Sequence, residues 1–166
     1  MFIGTHALLP ACVALTTDSL RLATRRRELF PEWSIPVIAL FGTLPDICTP
    51  HITLDARFSS WSHTLAFLVG LLPICLLVAV KFPKESRILL FFSFWFAVAI
   101  HLATDTVAGG IPWLMPWVMP SGNHIDRTGI LGDFYIHPSY WLAFDAFFVI
   151  LTWILVGLRG ALRKRI

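Results

Sequence analysis

The chain has 166 residues, enough for one domain. Hydrophobic residues make up 57%, charged residues 14%, and mean hydropathy is +0.74, which excludes an ordinary water-exposed surface. A net charge of +3 and a pI near 9.0 do not indicate nucleic acid, because no basic stretch is interleaved with stacking aromatics.

Five apolar stretches follow one another: about Ile3–Thr17, Ile35–Leu44, Thr64–Val80, Ile88–Thr104 and Tyr140–Leu158. The first carries Pro10 and sits at the lower length limit for crossing a bilayer. It has no basic residues before it, unlike a secretory signal, so an uncleaved first span is expected. The second is short unless Trp33 and Pro36 extend it, and these two could instead pair as a re-entrant hairpin buried in protein. The third and fourth are joined by the basic loop Lys81–Arg87 and form an antiparallel pair. Between the fourth and fifth lies a loop, 106–138, rich in Gly and Pro. Its apolar patch Ile111–Met119 suits a segment that lies in the interface or folds over a site. The fifth stretch is the clearest span.

The fold class expected is therefore all-α: a polytopic integral membrane helical bundle, one domain over 1–166, with about five transmembrane or re-entrant helices. Alternate threading with the N-terminus outside and the C-terminus cytoplasmic puts eleven of thirteen Lys and Arg on the cytoplasmic side. Only Arg57 and Arg127 fall outside. Trp33, Trp61, Trp113, Trp117 and Trp141 lie near span ends, as an interfacial belt requires, whereas Trp95 and Trp153 are expected to pack inside.

The same threading gathers the acids and histidines on the outer side. His6, Asp46, His51, His63, His101 and Asp105 reach that side together, and all are metal-ligand types. His101 and Asp105 are four apart on one helical face, a spacing that presents imidazole and carboxylate to one ion. Alone, such a pair is weak evidence, since a core histidine and a helix-ending Asp look the same. Convergence of the whole set is what favours a divalent metal, zinc before manganese or iron. Asp145, inside the fifth stretch, can accept a hydrogen bond from a ligand histidine, be protonated, or pair with Arg57 or Arg127. Asp133, His124, Asp126 and His137 are further outer-side polar residues, read chiefly as loop residues. Cys12 and Cys75 read as buried thiols, and Cys48, two residues from Asp46, is a weaker ligand candidate. No G-x-S-x-G, phosphate-binding glycine loop or H-E-x-x-H occurs.

Thr5-His6, Gly42-x-Leu44-Pro45-Asp46, Ser62-His63-Thr64-Leu65 and His101-Leu102-x-x-Asp105, followed by Gly109-Gly110-Ile111-x-Trp113-Leu114-x-Pro116, occur in that order. Over about residues 1–145 this resembles the membrane-bound metal-dependent hydrolase family, also described as inner-membrane-associated hydrolases and distantly similar to zinc-dependent phospholipase C. The resemblance implies a multi-pass protein of the bacterial inner membrane with a divalent-metal site. Its matching positions are His6, Asp46, His63, His101 and Asp105, and it implies phosphoester substrates. One departure stands out. Where the family often has His-Arg-Gly, this chain has Phe58-Ser59-Ser60, beside Arg57. Either His51 substitutes for the missing histidine, or one metal is held instead of two, or the site is inactive.

The function expected is hydrolysis of a lipid-linked or phosphoester substrate at the outer membrane face. Arg57 or Arg127 would bind phosphate and Asp133 or Asp145 would take a proton from water. The alternatives are a non-catalytic membrane protein whose polar cluster is structural or binds a partner, and, less favoured, a metal or ion transporter.

Overall fold

Every regular element among the described residues is helical. The computed structural model describes residues 3–25, 27–50, 59–107, 110–117 and 138–165. Among the described residues there are six α-helices: α1 (Ile3–Arg25), α2 (Ser34–Cys48), α3 (Leu65–Gly70), α4 (Leu72–Ala79), α5 (Lys84–Val107) and α6 (Pro138–Arg163). A 3₁₀ turn, Trp61–His63, precedes α3.

The core is built on one stripe of α5. Leu90, Phe94, Ala97, Val98, His101, Leu102 and Asp105 are its buried residues. They recur at helical spacing, so one face is inside along the whole length. Phe94 stacks on Phe41 of α2 with ring centroids 4.6 Å apart. Leu68, Leu71 and Cys75 close the same cluster from α3 and α4. Cys12 and Cys75 are the buried thiols expected, while Cys48 is exposed.

Two helices, α5 and Ser139–Arg163 of α6, are long and apolar enough to cross a membrane. Stretches Ser34–Cys48 and Leu65–Ala79 are apolar but shorter. The single third span expected over 64–80 is broken at Leu71, between α3 and α4. Pro73 in the first turn of α4 explains the break, because its ring excludes a regular helix through the preceding turn. In contrast, α1 and α2 run beyond the apolar stretches Ile3–Thr17 and Ile35–Leu44, to Arg25 and Cys48.

α1 packs on α6, α2 and α5, and α2 and α4 both pack on α5. The α1–α2 approach depends on Gly42. A methyl there would lie 2.3 Å from the His6 carbonyl oxygen and 2.8 Å from Pro10 Cγ. Pro10 has no N–H to give the His6 carbonyl four residues earlier, which leaves that oxygen at the contact. On its far side α6 is largely uncovered, with Leu142, Ile150 and Trp153 exposed; Trp153, at 76%, does not pack inside as expected. Trp95 does, donating from Nε1 to the Leu68 carbonyl at 3.0 Å.

The acids do not all gather at one end. Asp18 is fully buried and accepts from Arg159 Nε at 2.6 Å and from the Phe30 N–H at 3.0 Å. Arg159 also donates to the Phe30 carbonyl, and Arg163 pairs with Glu28 and Glu32. A charge buried in a bundle needs a partner of opposite sign, and Asp18 and Arg159 supply each other. Arg159 and Arg163, read from sequence only as topology signals, thus clamp α1, the turn after it and α6.

Candidate metal centre

The opposite end of the bundle holds the histidines. Four elements bring them there with two carboxylates: the start of α1 (His6), the end of α2 (Asp46), the 3₁₀ turn before α3 (His63) and the end of α5 (His101, Asp105). Gly110, at φ 80°, closes α5 directly after the ligand pair, its N–H returning to the Asp105 carbonyl at 3.0 Å. This is the left-handed stop that glycine makes without strain.

Asp46, His63, His101 and Asp105 each offer one ligand atom, all within 4.8 Å of one another. His63 Nε2 lies 3.3 Å from Asp46 Oδ1 and 3.3 Å from Asp105 Oδ2. His101 Nε2 lies 3.6 Å and 3.2 Å from the same two atoms. The two Nε2 atoms are 3.3 Å apart. A tetrahedron with metal–ligand bonds of ~2.1 Å has edges of about 3.4 Å. The five separations given are near that figure, and the set as a whole spans up to 4.8 Å, so these residues could hold a divalent ion.

His6 stands beside this set. Its ring stacks on His101 with centroids 3.8 Å apart, and its Nε2 faces the other Asp105 oxygen, Oδ1, at 3.1 Å. Asp105 therefore has one oxygen toward the four-donor set and one toward His6.

The far side of each imidazole fixes which nitrogen carries the proton. His101 Nδ1 is 2.7 Å from the Gly42 carbonyl, which can only accept, so Nδ1 donates. Thr104 Oγ1 gives its proton to the His101 carbonyl at 2.8 Å and so accepts from His6 Nδ1 at 3.2 Å. Ser62 Oγ donates to the Pro45 carbonyl at 2.7 Å. Ser60 Oγ, 2.9 Å from Ser62 Oγ, then donates to it and accepts from His63 Nδ1 at 2.8 Å. All three histidines thus turn a protonated Nδ1 outward and Nε2 toward carboxylates, where the neutral ring presents a lone pair. Lone pairs and carboxylates repel unless something positive lies between them. Metal-binding histidines are held in this way.

Burial opposes the imidazolium form of His63, but Asp105 and Asp46 outweigh it and raise its pKa above the ordinary value. The two carboxylates thus favour a positive charge at His63. The side chains of His6, His63, His101 and Asp105 have no solvent exposure, and Asp46 has 12%. Access to the set is thus on the α2 side.

The expected residues divide into three groups. His6, Asp46, His63, His101 and Asp105 meet at one place. Asp145 lies apart: Oδ1 accepts from the Thr5 N–H at 2.7 Å and from the Thr5 hydroxyl, so it caps the first turn of α1 and holds His6 through the backbone. His51, Arg57 and Asp133 lie outside the described residues, as do His124, Asp126, Arg127 and His137. Cys48 is exposed and outside the ligand group. Sequence reasoning missed Gly42, Ser60, Ser62 and Thr104 as partners of the histidines. For Thr104, three residues after His101, helical spacing was an available signal; for the others only the fold supplies the contact.

The fold and the His/Asp centre define a helical membrane protein with a possible metal-binding cluster at one end of its bundle. The chain belongs to the YdjM inner membrane protein family, whose profile it matches over residues 1–164, and it is an inner-membrane protein. No curated protein and no solved structure matches it.

Proposed function

We propose that the protein is a metal-dependent hydrolase whose centre lies at the outer face of the inner membrane and cleaves a lipid-linked phosphoester. The observation that carries this reading is the convergence of Nε2 atoms and carboxylates at tetrahedral spacing, each imidazole oriented by an acceptor behind it. The resemblance to membrane-bound metal-dependent hydrolases, which marks the same five residues, agrees with it. The basic residues at the other end support an outer position for the centre under the positive-inside rule. A divalent ion held there supplies a water of lowered pKa and polarises a phosphoryl oxygen. In this reading His63, His101, Asp46 and Asp105 hold zinc, or manganese or iron. His6 orients Asp105, or takes a second ion with Asp105 Oδ1. Arg57 binds phosphate, and His51 and Asp133 remain candidates for a ligand and a base.

A second reading has an observation of its own. Four protein donors complete a tetrahedron, and closed tetrahedral sites are the structural ones. On that reading the ion staples α2, the turn before α3 and α5 without catalysis. Ion transport is disfavoured by Val98, Phe94 and Leu90, which continue the buried stripe of α5 away from the centre as apolar residues.

The test is elemental analysis of detergent-purified protein beside His101→Ala and Asp105→Ala, followed by phospholipid and lipid-phosphate hydrolysis assays. Near-stoichiometric metal lost from both variants, with hydrolysis that disappears alongside it, is expected. Metal without hydrolysis, and a protein that unfolds when stripped, would favour the structural ion. No metal after reloading would end both readings.

A further inference from the structure

A groove of about 560 Å³ opens beside the centre, between the end of α2, helices α3 and α4, and the segment 110–117. Its walls include Leu44, Trp61, Phe67, Leu71, Ile74 and Met115. The volume is that of a small-molecule site. The groove shares chain segments with the ligand set: Trp61 and Thr64 of its wall are near neighbours in sequence of His63, and Leu44 and Cys48 stand two residues either side of Asp46 in α2. Asp46 is the one ligand side chain with solvent exposure, so the approach to the set starts from the turn of α2 that also forms the groove wall. The segment carrying Met115 is fastened to this place, its Trp113 carbonyl accepting from the Leu65 N–H at 2.9 Å.

We infer that this groove holds the acyl chain of a membrane lipid whose headgroup is thereby presented to the His/Asp centre. The inference rests on the hydrolase reading and names its substrate class. Two observations select the occupant. The chain is an inner-membrane protein, so the molecules that meet an open apolar groove are lipids. The groove is almost wholly apolar and is built on the same end of α2 and the same turn before α3 that carry Asp46 and His63, and an amphipathic molecule suits an apolar channel with a polar centre nearby. A soluble phosphate ester would leave the channel unused.

Gly70 allows a clean test. It lines the groove, and a Cβ there meets nothing within 4 Å, so the backbone leaves open space for the side chain of Gly70→Phe. The full-length protein is placed in proteoliposomes of phosphatidylethanolamine and phosphatidylglycerol, with a trace of phosphatidylglycerol bearing a diazirine on one acyl chain. After photolysis, labelled positions are mapped by mass spectrometry and metal content is measured on the same samples. Label is expected to concentrate on Phe67, Leu71, Ile74 and Met115 over the exposed α6 positions Leu142 and Ile150. Gly70→Phe should lower groove labelling about tenfold, leaving α6 labelling and metal content unchanged. Leu77→Phe, at an exposed position outside the groove lining, should change nothing.

Equal labelling of groove and α6, insensitive to Gly70→Phe, would overturn the inference, because lipid in the groove would be bulk solvent. An unlabelled groove would overturn it too, and would assign the space to another part of this chain or to a second copy. The hydrolase reading fails separately: a metal-free protein with selective groove labelling keeps the lipid site and loses the hydrolase, whereas bound metal and phospholipid hydrolysis with an unlabelled groove do the reverse.

Discussion

At the scale of single residues, the centre is decided by what lies behind each imidazole. A histidine can present either nitrogen, and the protein chooses by giving Nδ1 an acceptor. For His63 that acceptor is Ser60, one of the residues where the chain departs from the hydrolase family pattern. Ser60 is fully buried, and its hydroxyl passes its own proton to Ser62. Ser60→Ala removes the acceptor and no ligand. Loss of such a partner weakens metal binding by about ten- to a hundredfold. The expected outcome is metal affinity reduced within that range, read by competition with a chelator, with helicity by circular dichroism unchanged. Unaltered affinity would mean that His63 is oriented by packing alone. The ligand residues themselves were legible in the sequence, because His and Asp are conspicuous in apolar stretches. Ser60 and Gly42 were not: a serine in a loop and a glycine in a helix carry no mark of what they touch across the fold.

At the scale of elements, the helices hold the centre by how closely they approach. Gly42 does two things in α2: it lets α1 come into backbone contact, and its carbonyl holds His101. The contact needs Pro10 and Gly42 at the same level of two antiparallel helices. Gly42→Ala places a carbon 2.3 Å from a backbone oxygen, which a rotamer change cannot relieve. The helices must separate, and overpacking of this kind destabilises by ~3 kcal/mol. Because His6 rides on α1 and His101 hangs from the Gly42 carbonyl, the same methyl should also lower metal occupancy. A thermal melt together with elemental analysis checks both, and a variant with native stability and full metal content would contradict the close approach. Element boundaries were only partly legible. The apolar run of the first stretch ends at Thr17, yet α1 continues to Arg25 because Asp18 finds Arg159 in α6, a partner 141 residues away. Pro73 sits in plain view inside the third stretch, and the break between α3 and α4 was readable from it.

At the scale of the whole molecule, two polar centres hold opposite ends of one apolar bundle. The division into a histidine end and a basic end was legible, because alternate threading and the positions of Lys and Arg fix which helix ends meet. The pairing of acids within the basic end was not, since it depends on which arginine turns inward. His6 and Asp18 are twelve residues apart on α1, about 18 Å along the helix axis. Sites so far apart, with no shared partner, should contribute additively. Asp18→Asn leaves Arg159 buried without its carboxylate and should destabilise by about 3 kcal/mol. Stripping the metal with a chelator removes binding energy that only the folded state collects, about 4 kcal/mol when free ion exceeds Kd a thousandfold. If the ends are independent, Asp18→Asn binds metal with native affinity, and its melting temperature falls on chelation by as much as that of the wild type. A drop in metal affinity in Asp18→Asn would instead mean that α1 transmits a change at its basic end to His6. In that case the charge clamp at the basic end sets the geometry of the centre, and the bundle responds as one cooperative unit rather than as two separately held ends.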